Sequence, residues 1–271
     1  MSDIRPPAVA GTFYPGDPHE LARNVGAYLS DVAARSGTRA GNPKALIVPH
    51  AGYIYSGPIA ASAYAQLQPL REVVRRVVLL GPAHRVAVRG LAVPTAEGFA
   101  TPLGTVPIDR EAVEAALRLP QVTESTAAHA AEHSLEVQIP FLQQVLHEFK
   151  LVPFAVGFAS DQQVAEVLEL LWGGDETLIV VSSDLSHYRH YAAAQEFDRA
   201  TVNSILSLAP LQTHEQACGA TPINGLLLQA KRRGLAASLL DQRNSGDTAG
   251  NRSQVVGYAS FAFTYESIAQ H

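Results

Sequence analysis

Continuous apolar runs alternate with longer amphipathic segments along this chain. The runs at 44–48, 76–80 and 177–182 contain few polar residues and show no period-two alternation. That pattern is typical of strands buried on both faces of a parallel sheet. Between the runs, apolar residues recur at helical spacing. The first of these helices is predicted to begin after an Asp17 cap and to end at Gly37.

Strands and helices alternate for most of the chain, which predicts an α/β fold whose mostly parallel central sheet is covered on both faces. The segment 90–109 is rich in Pro and Gly, and we expect it to form a hairpin or meander beside the main sheet. The segment 253–266 alternates, which predicts a longer strand at a sheet edge. A single domain over residues 1–271 is the simplest organisation.

Cap residues followed by proline mark further predicted helix starts. Ser56 lies two residues before Pro58, and Thr221 directly precedes Pro222. Serine and threonine cap helix N-termini, and proline suits the first turn. Gly234 is the predicted stop of the helix that starts at Thr221.

Composition narrows the class of protein. The net charge is −5 and 47% of the residues are hydrophobic, and Lys and Arg do not cluster as they do in nucleic-acid-binding domains. The one cysteine excludes an intramolecular disulfide. The first residues lack the pattern of a signal peptide, and no apolar run approaches membrane-spanning length. We therefore expect a cytoplasmic protein with no nucleic-acid or membrane partner.

Chemically capable side chains follow three predicted strands. His50, His84 and the pair Asp184 and His187 come just past apolar runs, and ligands bind at the carboxyl ends of parallel strands. Two imidazoles there suit iron, copper, zinc or nickel. Asp184 and His187 would share a face of a helical turn, so the carboxylate could orient the imidazole as an acid/base pair. The alternative is that Asp184 only caps the next helix.

Two further groups are candidates. Cys218 precedes a predicted helix start, where a thiol is biased toward the thiolate; the alternative is a small buried apolar residue. In the segment HAAEHSLEVQ, Ser134 resembles a helix cap, which would place His129 and His133 in the loop before it. We expect Glu132 and His133 to be pocket residues, and His129 to lie outside the site.

Seven motifs, in order from about residue 5 to 265, resemble those of the Memo family. They are AGTFYPGDP, VPHAGYIYSGPIAASAY, LLGPAHRV, EHSLEVQIPFLQ, SSDLSHY, CGATPI and GDTAGNRSQVVGYASFAF. This family is the Memo-like component of a three-part system that also contains an AMMECR-type protein and a radical-SAM protein. The resemblance therefore makes both of those proteins candidate partners.

The resemblance implies a three-layer α/β/α domain similar to the class III (LigB-type) extradiol dioxygenases. The family's metal-site residues match His50, His84 and Cys218, and its catalytic pair matches Asp184 and His187. The dioxygenases hold Fe(II) with two histidines and a carboxylate. A thiolate in the third place favours softer metals such as Cu(I) or zinc. Fe(II) is the expected cofactor, with copper or zinc as alternatives.

The resulting hypothesis is an Fe(II)-dependent, dioxygenase-like oxidoreductase acting on a small-molecule substrate, for which phenols are candidates. His187, oriented by Asp184, would move a proton, and His133, Glu132 and Tyr53 would line the pocket. Two alternatives stay open. One is a non-catalytic metal- or peptide-binding component that acts through AMMECR-type or radical-SAM partners. The other is a hydrolase in which zinc activates water.

Overall fold

The structure is a computed structural model that describes residues 3–35 and 41–265. The strands are β1 (Ile4–Arg5), β2 (Ala45–Val48), β3 (Arg76–Pro82), β4 (Leu91–Val93), β5 (Gly98–Thr101), β6 (Gly104–Pro107), β7 (Val122–Glu124), β8 (Lys150–Val156), β9 (Thr177–Ser182), β10 (Leu235–Asn244) and β11 (Gly257–Tyr265). The α-helices are α1 (Pro18–Arg35), α2 (Tyr53–Tyr64), α3 (Arg110–Ala116), α4 (Thr126–Ala130), α5 (Ile139–Val145), α6 (Asp161–Leu170), α7 (Tyr191–Leu206) and α8 (Ala220–Arg233).

The larger sheet has the strand order β10-β11-β2-β9-β3-β8-β4-β7. Its central strands β2, β9, β3 and β8 are parallel to one another. At the flanks, β11 is antiparallel to β2, β10 is antiparallel to β11, and β4 is antiparallel to β8. The sheet is therefore mixed, and the predicted parallel pairing holds for its centre. The carboxyl ends of the four central strands consequently meet at one edge.

Two groups of helices cover the sheet. Helices α6 and α8 pack together, and α8 contacts β3 and β9. Helices α1, α2 and α5 pack together, and α2 contacts β2 and β11. Strands β2 and β9 are buried along their whole length because both of their faces are covered. This arrangement is the predicted three-layer α/β/α fold.

The segment 90–109 divides between two sheets. Strand β4 joins the larger sheet beside β8, whereas β5 and β6 form an antiparallel hairpin. Strand β1 pairs with β5 in parallel, which completes a small three-stranded sheet. The predicted hairpin is present, and it pairs with the start of the described chain.

The predicted edge position of the last strand is wrong. Strand β11 lies inside the sheet, between β2 and β10. Strand β10, which the apolar pattern did not reveal, pairs along nearly all of β11 and forms the edge. It was missed because Asp241 to Arg243 are polar and because the register shifts between Leu239 and Asp241, which breaks the alternation.

Two predicted caps are also wrong, by four residues at α2 and by two residues at α8. Helix α2 begins after Gly52, and the Ser56 hydroxyl lies inside it, donating to the carbonyl of Ala51. Helix α8 begins after Gly219, so Thr221 is within its first turn. Glycine can take the cap position without a side-chain hydrogen bond, which the sequence pattern does not reveal.

The other predicted helix ends vary in outcome. Asp17 does cap α1, since its carboxylate accepts the amide of Glu20. The predicted end of α1 at Gly37 lies outside the described residues. Gly234 ends α8 in the left-handed conformation, with φ 67°, as expected for a glycine stop. Within residues 3–35 and 41–265, no helix is both long enough and apolar enough to cross a bilayer.

Candidate metal centre

The sheet places three candidate residues at the same edge. His50 follows the end of β2 by two residues, His84 follows β3 by two, and Asp184 follows β9 by two. Because β2, β9 and β3 are adjacent and parallel, the three tips are neighbours. The register of the strands therefore brings these three side chains close together.

Three imidazoles form the centre of this edge. His50, His84 and His133 each offer a ring nitrogen, and these atoms lie within 4.8 Å of one another. The ring centroids of His50 and His84 are 5.2 Å apart, and that of His133 is 4.8 Å from His84. We call His50, His84 and His133 the histidine cluster. Three imidazoles at this spacing suit a divalent transition metal.

The three side chains of the histidine cluster differ in their exposure to solvent. His50 is buried, the His133 side chain is 14% exposed, and the His84 side chain is 30% exposed. Burial lowers the pKa of His50 to about 3 and that of His133 to about 4. Both rings are therefore neutral near pH 7, which is the form that binds a metal.

Glu132 orients His84 through its carboxylate, which also lies 3.5 Å from His133 Nδ1. Its carboxylate accepts the His84 ring Nδ1 at 2.9 Å and the His84 backbone amide at 2.6 Å. It also accepts the amide of Ser134 at 2.9 Å. Burial opposes ionisation, but these hydrogen bonds lower the pKa of Glu132 to about 2. An ionised carboxylate only accepts hydrogen bonds, so His84 Nδ1 is the donor to Glu132 and Nε2 is the ring nitrogen left to face a metal.

His50 is held by Ser182 and faces Cys218. Its Nδ1 lies 2.9 Å from the Ser182 hydroxyl, and its Nε2 lies 3.3 Å from the Cys218 sulfur. Cys218 thus touches the cluster through His50. Among the described residues, the group of three ligand atoms within 4.8 Å of one another contains His133 and not the cysteine.

The expectation that the helix terminus favours a Cys218 thiolate is wrong for this environment. Burial, and secondarily the Asp184 carboxylate, raise the pKa of the Cys218 thiol to about 12. The Ser183 hydroxyl lies 3.8 Å from the sulfur and is too weak a partner to offset burial. The thiol is therefore protonated near pH 7, although coordination to a metal lowers a thiol's pKa.

Asp184 supports the backbone of the site. Its buried carboxylate accepts the amide of His50 at 2.7 Å, and burial raises its pKa. Helix α7 begins at Tyr191, so Asp184 neither caps it nor shares a helical turn with His187. The premise of a helical turn is wrong, because residues 183–190 form an irregular loop.

His187 is exposed on that loop. Its ring lies beside Tyr188, with centroids 5.9 Å apart, and Tyr188 adopts a positive φ of 57°. Asp184 and His187 are close enough to interact electrostatically. Among the hydrogen bonds of the described residues, none joins their side chains, so their role as an acid/base pair stays a prediction.

The side chains of His129 and Tyr53 both donate hydrogen bonds to backbone carbonyls. His129 lies in α4 rather than in a loop, and its Nε2 donates to the carbonyl of Ala92 at 2.8 Å. It is outside the histidine cluster. Tyr53 is 3% exposed and donates its hydroxyl to the carbonyl of Val137 at 2.7 Å. Its hydroxyl is therefore engaged by the backbone, and its role as a pocket residue stays a prediction.

Sequence reasoning missed Ser182 and Gln138, which stand behind His50. Ser182 ends the apolar run of β9, and Gln138 lies in the short 3-10 helix Glu136–Gln138. The signal for Ser182 was a polar residue at the end of an apolar strand. Gln138 carried no signal, because its contacts come from segments remote in sequence.

The fold and the histidine cluster together define an α/β protein with a candidate metal centre at the tips of parallel strands. The sequence profile described as "Memo-like protein" matches residues 5–262. A "MEMO1 family protein" of Aquifex aeolicus is 38% identical, covering 96% of this chain and 99% of the relative. Another, of Ignicoccus hospitalis, is 37% identical over 96% and 98% of the two chains. This chain therefore belongs to the Memo family.

One solved structure supports the fold. The uncharacterized protein JW3007 from Escherichia coli K12 aligns with a TM-score of 0.55, covering 80% of this chain and 98% of that protein. The identity is 15%. At that level the likeness concerns the α/β architecture alone.

Proposed function

We propose that this protein is a metal-dependent oxidoreductase that holds Fe(II) between His50 and His84 and acts on a small substrate. One observation carries the proposal. Both imidazoles have Nδ1 bound to a protein partner, so both are free to present Nε2 at one partly open edge. Metal-binding histidines are usually fixed in this way. Bound Fe(II) would supply open coordination positions for oxygen and an organic substrate.

Two residues compete for the third ligand position. His133 belongs to the group of three ligand atoms that lie within 4.8 Å of one another. Cys218 lies 3.3 Å from His50 Nε2, and the resemblance to the Memo family implies that it is a metal ligand. Three imidazoles suit iron or zinc, and a thiolate suits copper or zinc better. The cysteine must lose its proton to coordinate, which its burial disfavours. We therefore favour His133 for iron, and Cys218 for a softer metal.

The open side of the cluster supports a substrate role. His84 and His187 are exposed there, and Phe13 packs against His133 with ring centroids 4.7 Å apart. We propose that His187 exchanges a proton with a bound phenol, because its ring is exposed on the loop that carries Asp184 and imidazole is the side chain that most often acts as a general acid or base. Tyr188, 71% exposed, offers an aromatic face beside it.

The test is oxygen uptake by protein loaded anaerobically with Fe(II), measured against a panel of diphenols. We expect uptake with at least one diphenol and its loss in His84→Ala together with the iron. His187→Gln should retain iron and lose turnover. His147→Gln is the matched control, because His147 is an exposed histidine that lies outside the cluster.

An iron-loaded protein that consumes no oxygen with any diphenol would contradict the dioxygenase proposal. That result would favour the non-catalytic alternative, in which the metal centre serves an AMMECR-type or radical-SAM partner. Bound zinc together with esterase or amidase turnover would instead favour the hydrolase. Each outcome therefore selects a different class of function.

A further inference from the structure

A chain of buried polar side chains leads from helix α2 to His50. The Tyr64 hydroxyl donates to Gln138 Oε1 at 2.8 Å, and Gln138 Nε2 donates to the Ser182 hydroxyl at 2.9 Å. The Ser182 hydroxyl lies 2.9 Å from His50 Nδ1. The residues Tyr64, Gln138, Ser182 and His50 are each at most 2% exposed. We call Tyr64, Gln138 and Ser182 the buried chain.

Two backbone carbonyls, which can only accept hydrogen bonds, determine the donors and acceptors of the buried chain. The Pro49 carbonyl can only accept, and Gln138 Nε2 donates to it at 2.9 Å, which fixes the orientation of the Gln138 amide. The Ser134 carbonyl likewise can only accept, and it takes the one Ser182 hydroxyl proton at 2.6 Å. Ser182 Oγ therefore accepts from both Gln138 and His50.

It follows that His50 Nδ1 is the protonated nitrogen of a neutral ring. The lone pair is then on Nε2, which faces Cys218 and the cluster. If Ser182 lacked the Gln138 and Ser134 partners, its hydroxyl could rotate and donate to Nδ1 instead. The proton would then move to Nε2 and block the metal-facing position. The buried chain prevents that rotation.

We propose that Tyr64, Gln138 and Ser182 are positioning residues that fix the Nδ1-protonated tautomer of His50 and so set how tightly the centre binds a metal. This inference rests on the proposed metal function. The buried chain also contacts the segment of a second candidate ligand, because the Ser182 hydroxyl donates to the carbonyl of Ser134, the residue after His133. The Ser182 hydroxyl thus contacts both the His50 ring and the residue next to His133.

The arrangement differs from that at His84, where an ionised carboxylate accepts the ring proton. Glu132 is 1% exposed, and Asp184, whose carboxylate accepts the His50 amide, is also buried. A further carboxylate at His50 would add another buried charge, and an uncompensated buried charge is costly. A neutral chain gives the same tautomer without that cost. The register of the sheet supplies the position, since Ser182 pairs with Val48, two residues before His50.

The experiment combines a tautomer measurement with a binding measurement. Two-bond ¹H–¹⁵N spectra of protein labelled with ¹⁵N-histidine, recorded without metal, report which ring nitrogen carries the proton; His50 is assigned by comparison with His50→Asn. Cobalt(II) titration, followed by visible absorption, reports affinity and ligand geometry. The variants are Ser182→Ala and Tyr64→Phe. Ser260→Ala is the control, because Ser260 is a fully buried serine whose hydroxyl has no partner among the described residues.

We expect Nδ1–H at His50 in the native protein and in Ser260→Ala. Ser182→Ala should populate the Nε2–H tautomer and weaken cobalt binding roughly 10- to 100-fold, as is typical for partners of metal-binding histidines. Tyr64→Phe, which removes only one oxygen and keeps the core filled, should show a smaller shift in the same direction. It keeps the proposal testable if Ser182→Ala fails to fold.

Two results would overturn the inference: Nε2–H at His50 in the native protein, or Ser182→Ala and Tyr64→Phe that keep the native tautomer and cobalt affinity. Failure of the metal proposal is distinguishable. A native protein that binds no cobalt, yet shows Nδ1–H at His50 that is lost in Ser182→Ala, would leave the tautomer assignment standing and remove its metal role.

Discussion

Replacing Glu132 by glutamine should damage the site although the shape barely changes. The Glu132 carboxylate accepts three N–H groups: the His84 ring, the His84 amide and the Ser134 amide. A glutamine has one acceptor oxygen and one NH₂ group, so in either orientation its NH₂ opposes an N–H donor. A buried donor left unpaired costs about 1–3 kcal/mol. Loss of the charge further weakens attraction for a divalent cation.

The measurement is thermal or denaturant unfolding of Glu132→Gln, with and without a saturating metal, together with a direct metal titration. A 10- to 100-fold loss of affinity, which is typical for such partners, corresponds to about 1.4–2.8 kcal/mol less metal-dependent stabilisation. Glu124→Gln is the control, because Glu124 is an exposed glutamate whose one ion pair among residues 3–35 and 41–265 is with Arg110. Native affinity in Glu132→Gln would refute the reasoning that orients His84 through this carboxylate.

Three further predictions concern the surroundings of the centre. Burial lowers the pKa of His129 to about 4. The unfolded chain therefore takes up this proton at a higher pH than the folded protein does. The free energy of unfolding should fall by up to about 3 kcal/mol as pH drops from about 6.5 to 4. A His129→Gln variant whose free energy of unfolding in urea falls equally steeply with pH would contradict this. Arg5→Met removes the cation that contacts the buried Glu136 carboxylate at 2.7 Å, and leaves it the Tyr14 hydroxyl and the amides of Ala8 and Val9 as donors. The free energy of unfolding in urea should fall by about 3–5 kcal/mol. A loss below about 1 kcal/mol would show that the pair is not needed. A Cβ at Gly81 would lie 2.7 Å from the Ser134 hydroxyl, so Gly81→Ala should lower the unfolding free energy by about 1–3 kcal/mol and weaken cobalt binding; an unchanged cobalt titration would show that the loop tolerates the methyl group.

The central strands were predictable from sequence because burial on both faces leaves a continuous apolar run. The β10 strand was not predictable in this way, since it lies at an edge, is half-buried and carries polar residues such as Asp241 and Arg243. The starts of α2 and α8 were displaced because glycines occupy the cap positions. Apolar periodicity therefore identifies the elements that make the core, and misses those whose limits depend on backbone conformation.

The candidate centre was partly predictable for a related reason. His50 and His84 follow apolar strands, so their meeting at one edge follows from parallel pairing. The membership of His133 in the cluster depends on how the loop after α4 folds back, which no local pattern encodes. The protonated state of Cys218 depends on burial from all sides, which sequence proximity to a helix start does not convey.

The most direct test of the account is the metal content of protein purified anaerobically, compared with His50→Ala, His133→Ala and Cys218→Ala. We expect near-stoichiometric metal in the native protein and its loss in His50→Ala. Loss in His133→Ala but not in Cys218→Ala would identify the histidine cluster as the ligand set, and the reverse would identify the cysteine. A native protein that holds no metal after Fe(II), zinc and Cu(I) have each been offered would contradict the account.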